Sequence, residues 1–151
     1  MEYKAALQRS AALCSRQEQC TSAIREKLMS WEVEPEEADR IIKLLMEEKF
    51  LDDGRYAEYY VRDKFRINGW GRIKITHMLR MKKLKEDFIE RALNQIDEDA
   101  YMEACVKLIR SKAGKLSDRN AYSRKGKLYR FASSRGFEAD IIHRALHLCG
   151  E

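Results

Sequence analysis

Residues 74–96 read K-I-T-H-M-L-R-M-K-K-L-K-E-D-F-I-E-R-A-L-N-Q-I. Ile75 and Leu79 fall four apart, Leu84 stands alone after a basic run, and Ile89, Ala92 and Leu93 restart a three-and-four spacing after Glu86-Asp87. This predicts a short helix, a turn holding one apolar residue, and a second amphipathic helix. Carboxylates in a first turn favour a helix N-terminus, so the acidic pair marks where the second helix opens.

The same pattern occurs twice more. Residues 23–45 read A-I-R-E-K-L-M-S-W-E-V-E-P-E-E-A-D-R-I-I-K-L-L, and residues 127–149 read K-L-Y-R-F-A-S-S-R-G-F-E-A-D-I-I-H-R-A-L-H-L-C. Offsets of 51 and then 53 residues superimpose Ile24, Ile75 and Leu128, then Leu28, Leu79 and Ala132. The turn residues Val33, Leu84 and Phe137 coincide, as do Ala38, Ile89 and Ile142. Ile41, Ala92 and Ala145 follow, then Ile42, Leu93 and Leu146. Pro35 suits an early helical position in the first repeat.

A further helix precedes each pair, over Tyr3–Leu13, Asp53–Phe65 and Ala100–Lys112. Tyr56, Ala57, Tyr60, Val61 and Phe65 form the stripe of the second; Tyr101, Ala104, Cys105, Leu108 and Ile109 form that of the third. The expected fold is all-α: three tandem three-helix units, at 1–51, 52–97 and 98–151, forming an elongated array that can curve. A period near fifty residues marks a modular array in which each unit leans on its neighbours and offers a long surface to a long partner.

Composition agrees. Of 151 residues, 44% are hydrophobic, enough for a core, and 36% are charged, with one proline and seven glycines. That profile suits a helical protein and excludes wholesale disorder. No apolar run is long enough to span a membrane, and M-E-Y-K-A-A-L-Q-R-S lacks the apolar core of a signal peptide. Cys14, Cys20, Cys105 and Cys149 form no C-x-x-C pair, which fits a reducing, cytoplasmic setting better than a disulfide framework.

Charge is unevenly placed. Met1–Gly71 carries 12 basic and 14 acidic residues, net −2, whereas Arg72–Glu151 carries 18 and 11, net +7. Between Lys107 and Arg135, 10 basic residues face only Asp118. Such asymmetry favours a polyanion or an acidic protein surface as partner. The candidate contact residues are Arg72, Lys74, Arg80, Lys82 and Lys83 in the second unit, and Lys112, Lys115, Arg124, Lys125, Lys127, Arg130 and Arg135 in the third. Lys85 and Arg119 lie in the same clusters. Tyr122 and Tyr129 lie between them and could stack on bases or pack inward; Phe131 reads as core.

Other motifs read as architecture. N-G-W-G-R, residues 68–72, lacks the preceding strand and the Lys-Ser or Lys-Thr of a P-loop. It fits a corner: Asn68 and Gly69 end a helix and Gly71 starts the next tightly. A phosphate contact at the new helix N-terminus, aided by Arg72 and Lys74, stays open. Asp52 caps a helix. Gly114 ends a helix, and Asp118 is the expected cap of the next. Trp31 and Trp70 sit at corners where a large ring packs helices together. His143 and His147 share one helix face but match polar positions of the other repeats, so they face solvent and call for no metal. No nucleophile with a base and orienting acid is apparent, so neither catalysis nor a cofactor is expected.

Three stretches resemble the RecX family of regulators of the RecA recombinase: F-L-D-D-G-R-Y-A (50–57), G-W-G-R-I-K-I-T-H-M-L (69–79) and K-L-Y-R-F-A-S-S-R-G-F-E-A-D-I-I (127–142). Their order and the three-unit repeat make the likeness specific over nearly the whole chain. The resemblance implies a non-enzymatic modulator that binds the RecA filament on single-stranded DNA. Filament growth, ATP hydrolysis and strand exchange would be suppressed. It implies RecA and single-stranded DNA as partners, the latter directly or through the filament. A monomer is expected. Two alternatives stay open: a general helical DNA-binding module, and a protein-only scaffold.

Overall fold

The computed structural model describes residues 1–151 as nine helices and no strands. They are α1 (Tyr3–Arg16), α2 (Thr21–Ser30), α3 (Pro35–Glu47), α4 (Asp53–Arg66), α5 (Arg72–Met81), α6 (Glu86–Leu93), α7 (Glu98–Ala113), α8 (Ala121–Ser134) and α9 (Ala139–Leu148). The substantial helix packing runs within successive triplets, with α4 against α6 and α7 against α9 as the tightest pairs.

Each triplet has its own core. Ala6, Ile24, Leu28, Val33, Ile41 and Leu45 bury together in the first. Ala57, Val61, Ile75, Leu79, Leu84 and Ile89 do so in the second, and Tyr101, Cys105, Ile109, Leu128, Phe137 and Ile142 in the third. Of the residues superimposed by the repeat, all but Leu93 are buried. Leu93 ends the shortest helix, α6, and is only half-buried.

The turn explains its lone apolar residue. Glu32, Lys83 and Gly136 occupy equivalent positions and all have positive φ, 57°, 62° and 96° respectively. The next amide in each case donates back five residues: Val33 to Leu28 O, Leu84 to Leu79 O, Phe137 to Ala132 O, at 3.0, 3.3 and 3.3 Å. This is a Schellman closure, which satisfies helix-end carbonyls and turns the following apolar side chain into the core.

Two joints hold the units in series, and they share a design. In the first, the opening amide of α2, Thr21 N, donates to Asp53 Oδ1 at the start of α4 (2.8 Å), while Ser22 Oγ donates to Lys82 O in the turn of unit two (2.6 Å). In the second, the opening amide of α5, Arg72 N, donates to Tyr101 Oη in α7 (2.8 Å), while Gly71 N donates to Arg135 O (2.7 Å) and Ile73 N to Gly136 O (2.9 Å) in the turn of unit three. The second helix of one unit thus docks end-on against the first helix and turn of the next.

The glycine corner is therefore an inter-unit joint. A Cβ on Gly71 would collide with the backbone of Gly136 and lie 2.5 Å from Phe137 N. A Cβ on Gly136 would lie 2.6 Å from Lys74 N. Gly69 takes positive φ, while Asn68 does not.

Two expectations are corrected. Asn120, not Asp118, caps α8: its Oδ1 accepts from Ser123 N at 2.9 Å. Asp118 instead braces the loop, accepting from Asn120 N, Ser123 Oγ and Lys127 Nζ. These bonds, that from Ser123 foremost, hold its carboxyl down at about 2. Phe131 is not core; it lies half-buried between Lys112 and Arg135, on the flank of α8 away from the buried Leu128–Ala132 stripe. Asp52 does cap α4, accepting from Arg55 N at 3.0 Å.

Candidate nucleic-acid interface

The second joint gathers cations from two units. Trp70 enters the corner half-buried, with Lys64 Nζ 4.9 Å and Lys74 Nζ 4.4 Å from its ring centre. Tyr60 packs edge-on to Trp70 at 6.5 Å and receives Lys64 and Lys82 at 5.4 and 6.0 Å. Across the joint, Lys74 abuts Gly136; the neighbouring Arg135 covers Phe131 at 4.8 Å, with Lys112 on the same ring at 5.0 Å. The result is a strip running Lys82, Lys64, Lys74, Arg135, Lys112.

None of these five cations has an ion-pair partner. Aromatic rings hold the aliphatic stems and orient the charged heads without neutralising them. Such a strip can bind a run of phosphates or a row of carboxylates. Lys64 was missed in the sequence. Its signal was available, since it stands one helical turn from Tyr60 and shares its face.

The other candidates divide. Arg72 is drawn into the fold: it is 20% exposed, pairs with Glu98 at 2.5 Å and Glu138 at 2.9 Å, and stacks 3.9 Å over Tyr101. Burial opposes its charge, but the bonds to Glu98 and Glu138 outweigh that and raise its pKa. The Tyr101 hydroxyl donates to Glu138, and burial together with that bond pushes its pKa far up, so it stays a neutral donor. Arg124 is likewise occupied, with Glu151 at 2.8 Å and the carbonyl of Ala113 at 2.9 Å. Both guanidinium groups are structural ties.

Arg80 pairs with Glu86 at 2.6 Å and Lys127 with Asp118 at 3.0 Å, both at exposed positions. Lys83 is exposed on the turn of unit two and Lys115 in the loop after α7. Lys125 and Arg130 are exposed and unpaired on α8. They border a groove of about 410 Å³ between α8 and α9, beside Tyr122 and Tyr129 rather than on the strip.

His143 and His147 are exposed. No group of three or more His, Cys, Asp or Glu side chains is placed to share a metal ion, and no helix is long and apolar enough to cross a membrane. A separate groove of about 580 Å³ at the first joint is lined in part by Met29, Met46 and Phe88.

Comparison with known proteins bears on the family and the fold. Family models described as the second and the third three-helix domain of RecX match residues 52–93 and 98–146. Regulatory protein RecX of Clostridium botulinum (strain Eklund 17B / Type B) is 34% identical over 121 residues, covering 79% of this chain and 56% of the relative. Its counterpart in Clostridium perfringens (strain 13 / Type A) is 33% identical over 122 residues, covering 80% and 57%. The chain thus spans a little over half the length of these curated relatives. The crystal structure of RecX from Lactobacillus salivarius shares the fold, with a TM-score of 0.91 at 22% identity over 98% of this chain and 96% of that one. A crystal structure of a regulatory protein RecX gives 0.89 at 25% identity, over 96% and 73%.

Proposed function

This chain belongs to the RecX family, and from that premise we propose that it regulates recombination and DNA repair by binding the RecA filament on single-stranded DNA. The proposed outcome is inhibition of ATP hydrolysis and strand exchange, without catalysis by this chain. The units at 1–51, 52–97 and 98–151 act as a serial surface that bridges neighbouring filament subunits. The protein works as a cytoplasmic monomer.

One observation carries this reading: five unpaired cations, set on three aromatic rings, lie on both sides of the second joint. A long polyanionic partner fits such a strip, and a nucleoprotein filament is one. Replacing Lys74, Lys112 and Arg135 together with Glu tests it. Binding to the filament should weaken, and the slope of log affinity against log salt should fall by roughly three. Affinity and slope equal to those of the unaltered protein would contradict the strip.

A protein-only scaffold is favoured by one feature, the methionine-lined groove at the first joint, where Met29 and Met46 are 67% and 52% exposed. Filament binding that ignores salt would point there. A helix-turn-helix reader of duplex DNA is disfavoured, because α3 and α6 open with exposed or half-exposed Glu36-Glu37 and Glu86-Asp87, which phosphates repel.

A further inference from the structure

We propose that the groove between α8 and α9 is a base-binding slot for single-stranded nucleic acid, separate from the strip at the second joint. The inference rests on the reading above only in taking nucleic acid as the polyanion, and it gives direct DNA contact a place.

Tyr122, Gly126 and Tyr129 fall at spacings of four and three on one face of α8. Tyr122 is 91% exposed, an aromatic ring held out on a helix with nothing packed over it. Tyr129 is half-buried and tilts against His143 of α9, ring centres 5.2 Å apart. Between the two tyrosines the floor is Gly126.

A glycine inside a helix is unfavourable by about 1 kcal/mol relative to alanine. No close backbone contact demands it here: the atoms nearest to a Cβ would be those of the Arg130 guanidinium, from 3.2 Å, at the end of a flexible side chain. Gly71 and Gly136, by contrast, are required by backbone contact. Gly126 lies midway along the roughly 10 Å, about two helical turns, that separate Tyr122 from Tyr129, and its missing Cβ leaves room that the Arg130 guanidinium occupies. A planar base can enter where that flexible side chain swings aside, and stack on a ring.

The rim supplies phosphate contacts. Lys125 and Arg130 are exposed and unpaired at the groove, and its lining contains no carboxylate. Aromatic faces with flanking cations are how single strands are held without sequence preference.

The test compares a fluorescent oligothymidylate with an abasic strand of equal length, which keeps the phosphates and lacks bases. Anisotropy titrations at one salt concentration use the full chain, Tyr122→Ala and Gly126→Leu. Tyr122 packs on nothing, and leucine favours helix over glycine, so neither variant should lower the melting temperature. The slot predicts that each variant weakens oligothymidylate binding about tenfold and leaves abasic binding unchanged. Lys125→Ala with Arg130→Ala should weaken both strands.

Equal binding of the two strands by the unaltered protein overturns the slot. So does oligothymidylate binding that survives Tyr122→Ala and Gly126→Leu. Loss of RecA binding without loss of oligothymidylate binding also overturns it, and assigns the groove to an acidic protein surface. RecA ATP hydrolysis measured in parallel keeps the two readings apart. A protein without effect on RecA that still shows the base-dependent loss retains the slot and loses the filament reading.

Discussion

At the residue scale, side chains are explained by backbone conformation in one case and by partners distant in sequence in the others. Glu32 sits at φ 57°, a conformation that glycine adopts freely and other L residues adopt at a cost. Glu32→Gly is expected to raise stability by about 1 kcal/mol, read as a higher denaturant midpoint at unchanged slope; a lower midpoint would contradict the turn geometry. Tyr101→Phe removes a buried hydroxyl that accepts from Arg72 N and donates to Glu138. Leaving the Arg72 amide without its acceptor, and Glu138 with Arg72 alone, should cost about 1–3 kcal/mol, and a neutral result in the same titration would contradict the bond network. Arg72 shows why the candidate site was only partly legible. Its position in a basic cluster was plain in the sequence, but its carboxylate partners lie 26 and 66 residues away. Arg124 is hidden by the same kind of distant contact, with Glu151 and with loop carbonyls.

At the scale of elements, the helices were legible because local physics sets them. Apolar spacing fixed α3, α6 and α9, and acidic first turns marked where they begin. The joints were not legible, since they depend on which backbone approaches which. Gly71→Ala places a methyl group on the Gly136 backbone. It should destabilise by roughly 1–3 kcal/mol, with faster hydrogen exchange in α7–α9 and unchanged exchange in α1–α3. Uniformly faster exchange would mean that the joint is not a local seam. Unit three also departs from the joint design. The residue matching Gly71 is Arg124, which lies inside α8 and donates its amide to Asn120 O. The extra first turn of α8 removes the free helix end that units one and two use for docking. The loop before it depends on Asp118, whose carboxyl is held below its usual 3.8, at about 2. A depressed carboxylate stabilises above its unfolded value and loses that contribution as pH falls through the folded one. The Asn120 and Ser123 amide signals should therefore shift between about pH 4 and pH 2. The shift should vanish in Asp118→Asn, and its persistence there would assign the change to another group.

At the scale of the whole molecule, the chain exposes 9820 Å², against about 8,000 Å² expected for a compact monomer of its mass. The excess belongs to a series of small cores joined end to end, each too small to bury its surface as one globule would. That arrangement places the strip across two units, so its length depends on the joint and not on any single helix. The proposed target of this surface is a RecA filament. The most direct test is RecA ATP hydrolysis on single-stranded DNA, titrated with this protein at constant salt. A fall at substoichiometric amounts is expected, diminished when Lys74, Lys112 and Arg135 are reversed in charge. Hydrolysis unchanged across the titration, with binding to free DNA still measurable, would contradict it and leave a basic helical array that binds DNA without acting on the recombinase.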